Sequence, residues 1–265
     1  MTSLLCPIND GCLKNINQPA RSGTIENPIL RPKKKQKLTP QSPQDFLNKL
    51  LKIRGYSTDT YLTLNTGYYC KPTSLQVASY GVGIVQTVRD SDPICLGKFL
   101  SKGLSPNPCN KFGESLVHMV CRRREHACLA TLIKFGCSIQ VSDDFGRTPL
   151  HDACWTSEPC FTTVEILLNI DRRLLSLADR RGSLPLSYAR REHWGKWINF
   201  LDKKKDLYWP HRDISVDGVE SPPELTQITS DNNIPDPVNA CSIEMALQLS
   251  SGLLNLDSIQ NSYEL

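Results

Sequence analysis

Two histidines, His118 and His151, stand 33 residues apart in matching segments and are the first side chains to weigh for catalysis or metal binding. His151-x-x-Cys154, with Cys160 close behind, offers three zinc-type ligands, whereas a structural tetrahedral site takes four at regular spacing. Buried thiols on a packing helix are the plainer reading of those cysteines. Gly81-Val82-Gly83 opens a G-x-G but lacks both the third glycine and a preceding strand, so it is no dinucleotide fingerprint. The chain holds no P-loop, no G-x-S-x-G and no kinase signature. No catalytic constellation emerges, and the chain is read as a non-enzyme without a cofactor or metal.

The basic residues point elsewhere. Arg122 and Arg191 each lie nine residues beyond a turn glycine, Gly113 and Gly182, with Arg123 and Arg190 beside them. Side chains at one repeat position line up along one face of a stack, so a basic stripe is expected near the ends of the first helices. Two readings stay open, a solvated face and a surface for an acidic partner. One acidic candidate is the chain itself. From Ile214 onward there is no Lys or Arg but eight Asp and Glu, against 31 basic and 19 acidic residues before it. The tail folding back in cis onto the arginines is therefore an expectation. Nucleic acid ranks below protein as a partner, because aromatics do not interleave with the basic residues.

These residues need a scaffold. Residues 1–70 are rich in Pro, Ser, Thr, Asn and Gln and read as a disordered basic arm, with one short amphipathic helix expected over 44–54. Within the arm, Pro32-Lys33-Lys34-Lys35-Gln36-Lys37 resembles a monopartite nuclear import signal, and Thr39-Pro40 and Ser42-Pro43 are candidate phosphorylation sites beside it. Residues 71–209 have the apolar density of a folded domain, and 210–265 read as a disordered acidic tail. The tail carries one apolar patch, Ile243 to Leu256, that suits a docking helix or an incidental stretch equally. No apolar run is long enough to span a bilayer and no secretory leader is read, so the eleven cysteines, none in a C-x-x-C pair, are taken as reduced thiols.

The domain is periodic. Gly113 and Gly146 are 33 residues apart, and so are Gly103 and Gly136. Asn110–His118, Asp143–His151 and Asp179–Ser187 superpose as segments, each followed by two helical patterns. The third unit starts 36 residues after the second, and the extra residues are placed in Trp155–Cys160. With Gly146-Arg147-Thr148-Pro149-Leu150-His151-Asp152-Ala153 at the helix entry and Phe135-Gly136-Cys137-Ser138-Ile139 as the loop after a second helix, the chain resembles the ankyrin repeat family over roughly residues 80–205.

The resemblance implies an all-α fold, a short solenoid of three to four helix-turn-helix repeats with β-turn fingers, and His118 and His151 as hydrogen-bonding links between neighbouring loops. A degenerate unit ending at Pro93–Gly103 is expected to cap one end, and a bulky unit with Trp194, Trp197 and Lys203-Lys204-Lys205 the other. It also implies a protein-binding scaffold or adaptor, with Lys111, Phe112, Asp144, Phe145, Arg147, Arg180 and Arg181 at the fingertips and helix starts as the surface, and Arg122, Arg123 and Arg191 nearby. The alternatives are a regulatory or substrate-recruiting subunit of an enzyme complex and a nucleic-acid-associated regulator. The chain is expected to be monomeric, in the nucleus or the cytoplasm.

Overall fold

The computed structural model of the chain describes residues 41–212 and 233–253. Its centre is a stack of helix pairs: α3 (Val82–Arg89) with α4 (Pro93–Ser101), α5 (Leu116–Arg123) with α6 (His126–Lys134), and α7 (Pro149–Cys154) with α8 (Phe161–Ile170). In the next unit the first helix shrinks to two 3-10 turns, Pro185–Tyr188 and Arg191–His193, followed by the long α9 (Trp194–Tyr208). First helices pack on first helices and second on second. Leu116, Val120, Leu129, Leu132, Leu150, Leu167 and Trp197 are fully buried between them. Each such side chain contributes roughly 1.5–3 kcal/mol on leaving water, which single units cannot realise without neighbours.

Local chemistry sets where the helices start. Thr148 caps α7, with Pro149 in the first turn, where a missing N–H costs nothing. His151 closes the capping box from the third helical position, as His118 does for Ser115 in α5. Ser187 takes that position in the last unit, no such box forms, and the helix collapses to a 3-10 turn.

The two ends are closed by segments from outside the repeats. Preceding them, α1 (Pro43–Ile53) is capped by Ser42, whose Oγ accepts from Asp45 N at 3.1 Å, and it buries Leu47 against the last unit, packing on α9. The chain then runs back along the stack. β1 (Tyr61–Leu62) pairs in parallel with β2 (Leu177–Ala178), Thr63 Oγ1 donates to Ala178 O at 2.8 Å, and the buried Tyr68 hydroxyl donates to Asp171. A short α2 (Ser74–Ala78) leads into α3. Far along the chain, α10 (Ile243–Ser251) returns to pack on α2 and α3, burying Ala246, Leu249 and Ser250. Gln76 Nε2 donates to Ile234 O at 2.8 Å, Cys241 N to Gly103 O at 3.0 Å, and Ser250 Oγ to Ala78 O at 2.6 Å.

The folded unit is thus wider than residues 71–209: residues 43–70 and 233–251 join it, despite their arm-like composition. The reason is that their few apolar side chains sit on one helix face and meet surfaces more than a hundred residues away, which local composition does not register. The helix expected over 44–54 is α1. The amphipathic patch from Ile243 forms α10, while Leu254 and Leu256 lie outside the described residues, as do the import-like run and Thr39.

Candidate protein-binding surface

Between a second helix and the next first helix, the chain makes a tight finger, three times over. In each, an Asx side chain braces the loop: Asn110 Oδ1 accepts from the N–H of Phe112 and Glu114, Asp143 Oδ1 from Phe145 and Arg147, and Asp179 Oδ1 from Arg181 and Ser183, all at 2.8–3.1 Å. Gly113 and Gly146 take φ of +72° and +75°, which an L side chain adopts only at a cost. The fingers are in register with one another, since Asp144 N donates to Phe112 O at 3.1 Å and Arg180 N to Phe145 O at 2.8 Å. His118 Nε2 bonds Arg147 O at 2.9 Å and His151 Nε2 bonds Ser183 O at 3.1 Å. Each ring thereby ties its own first helix to the next finger.

At the tips, Phe112 and Phe145 occupy matching positions and are 55% and 54% exposed. Lys111 Nζ lies 5.0 Å from the Phe112 ring centre and the Arg147 guanidinium 5.2 Å from that of Phe145. Arg180 and Arg181 are exposed on the third tip. Asp144 is half-buried, and its carboxylate accepts from the Tyr69 hydroxyl at 3.2 Å. Arg147 is bound to its own finger, with Nε 2.8 Å from Asp143 Oδ2.

The arginine stripe is not continuous. Nine residues past the middle turn glycine stands Trp155, half exposed. Arg122 is half-buried, bonded to Glu114, with its Nε 3.3 Å from Asp152 Oδ1 in an ion pair without hydrogen-bond alignment. It compensates a buried carboxylate rather than facing a partner; burial pushes Asp152 up, and Arg122 and Arg147 pull the other way. Arg123 is exposed and donates to Arg89 O at 2.9 Å, and Arg191 lies over Trp194 at 5.7 Å. The tail does not reach these arginines in the described residues: Asp236 accepts from Thr73 Oγ1 at 2.9 Å, and Glu244 is exposed on α10.

The family model for ankyrin repeats, in three copies, matches residues 84–175. Those residues are ankyrin repeats. Among curated proteins, the chain is similar to mouse (Mus musculus) protein phosphatase 1 regulatory subunit 27, 29% identical over 99 residues, which is 37% of this chain and 62% of that one. The match therefore spans less than two thirds of the relative's length. Ankyrin repeats serve protein–protein interaction, and in this chain their first two fingers present Phe112 and Phe145 outward.

The alternative chemistry of the ankyrin histidines is closed off locally. His151 Nδ1 accepts from Thr148 N at 3.0 Å while Nε2 is engaged by Ser183 O, so the ring has no lone pair left for a cation. Cys154 is buried and its thiol is pushed well up by that burial. Among the described residues no helix is long and apolar enough to cross a membrane. Sequence reasoning missed Tyr69 and Trp155. Trp155 had a signal, its place nine residues after Gly146; Tyr69 had none, because nothing local ties it to Asp144.

Proposed function

We propose that this chain is a non-catalytic adaptor that seats a partner protein on its ankyrin fingertips. The observation that carries the proposal is the pair Phe112 and Phe145, large rings exposed at the same place in successive fingers. Single exposed apolar side chains are ordinary on a protein surface, whereas a row of them on braced loops is a contact surface. Lys111, Arg180 and Arg181 extend it; Arg123 and Arg191 lie beside it; Arg122 and Arg147 serve mainly to hold the fingers. The test is affinity capture from nuclease-treated lysate with the full chain and a Phe112→Ser, Phe145→Ser variant of equal thermal stability. A defined protein held by the first and lost by the second supports the reading. Equal capture by both refutes it, and loss of all capture on nuclease treatment favours nucleic acid.

A second reading, a regulatory or substrate-recruiting subunit, is favoured by the likeness to the mouse phosphatase regulatory subunit. It requires a catalytic subunit, such as a phosphatase, in the captured complex, with activity that tracks the fingertip residues. Nuclear location rests on Pro32, Lys33, Lys34, Lys35 and Lys37, and is tested by replacing those lysines with alanine and imaging the tagged chain. A monomer is the expected state in solution, checked by light scattering.

A further inference from the structure

We propose that the fingertip row takes an extended acidic protein segment in which carboxylates flank a run of apolar side chains, a preference that presupposes the fingertip surface proposed above. Three observations carry it. The tips expose Lys111, Arg180 and Arg181, and the carboxylates beside them are engaged within the protein, Asp144 by the Tyr69 hydroxyl, Glu114 by Arg122 and Asp179 by Tyr188. The outward field is therefore positive, which steers and retains acidic groups. Second, Phe112 and Phe145 supply apolar area between those charges. Third, each phenylalanine already has a cation 5.0–5.2 Å from its ring centre. One face of each ring is thus taken by a cation of the protein itself, which leaves less ring face for stacked bases, so the row favours a protein over a single-stranded nucleic acid. The fingers are locked in register, so a segment crossing from the first tip to the third meets the order cation, ring, ring, two cations. Its carboxylates belong at the ends and its apolar residues in the middle.

The test is selection from a random peptide library displayed on phage, with the full chain as bait, in parallel with Phe112→Ser, Phe145→Ser and with Arg180→Glu, Arg181→Glu. The expected result is enrichment of Asp and Glu beside Leu, Phe, Ile or Met, lost in the first variant. Binding of a selected synthetic peptide should weaken about tenfold in the second variant and further with added salt, and excess single-stranded RNA should not displace it. Fingertip-dependent peptides without an acidic bias would overturn this partner chemistry while leaving the adaptor reading intact, and so would displacement by RNA. Peptides that bind both variants as well as the parent would overturn the fingertip surface itself.

Discussion

Replacing His151 with Gln should flatten the loss of stability that the parent protein suffers between pH 7.5 and pH 5. His151 is 1% exposed, its Nδ1 accepts the Thr148 N–H and its Nε2 faces the Ser183 carbonyl. Protonating Nδ1 in place would set two N–H groups against each other. Burial pushes the imidazole down to about 4, with the Ser183 bond pulling weakly the other way. In the unfolded chain it titrates near about 6.5, so on acidification the unfolded state takes the proton first. The stabilisation is complete above about pH 6.5 and drains away down to about 4; the linkage relation gives a loss of about 2 kcal/mol at pH 5 and about 3 kcal/mol at pH 4. Asp171 and Asp179 act lower. Burial raises each, but hydrogen bonds, from Arg173, Tyr68 and Gln140 in the first case and from Tyr188 and backbone N–H groups in the second, outweigh it and hold both below the usual carboxylate range. Asp152, raised by burial, changes in the opposite sense, and it is common to both proteins. Gln suits the position because Gln76 closes the same capping box in α2. The assay is urea unfolding followed by circular dichroism at pH 7.5, 6 and 5. The variant starts lower by about 1 kcal/mol for the lost Ser183 bond, so the slope is the readout. An equal loss in parent and variant from pH 7.5 to 5 refutes the assignment.

Two other perturbations separate the repeats from what closes them. Gly103 and Gly136 are equivalent, with φ of +91° and +90°, but a Cβ on Gly103 would lie 2.6 Å from Asn239 O, whereas nothing lies within 4 Å at Gly136. Both alanine variants should lose about 1 kcal/mol for the left-handed backbone; only Gly103→Ala should also speed proteolysis within residues 233–253. Tyr68→Phe removes a donor from the buried Asp171 and should cost about 1–3 kcal/mol in urea unfolding; a change within error would mean that Gln140 and Arg173 suffice.

The repeats were legible because their information is local and periodic. Gly113 and Gly146 mark the turns and Pro149 a helix start, each from its own few residues, and the periodicity places His118 and His151 one repeat away from the fingers they bond, at Arg147 O and Ser183 O. Asn110, Asp143 and Asp179 head the superposed segments, but that they brace the fingers is seen only in the fold, where each side chain accepts two backbone N–H groups of its own loop. Charge was harder to read. Arg122 looked free on spacing alone, but the fold brings Glu114 and Asp152 against it. A helix over 44–54 was read, and a docking helix from Ile243 was one of two readings, but the sequence did not show that 43–70 and 233–251 join the folded unit. Their burial depends on Leu47 meeting the last unit and Ser250 meeting Ala78, pairings 172 residues apart in the latter case. No window of sequence contains both halves of such a contact.

The crossed closure of the stack, with α1 on the last unit and α10 on the first, changes how the molecule comes apart. A repeat array ordinarily behaves as a one-dimensional chain of coupled units that can fray from either end. Here each terminal unit is clamped by a segment belonging to the opposite end of the polypeptide. Fraying the last unit releases α1 and the strap that crosses the fingers; fraying the first releases α10. The array should therefore melt in one cooperative step, as a closed ring would. During synthesis, α1 emerges first but has nowhere to dock until residues 194–208 follow, so its docking waits on contacts of very high sequence separation.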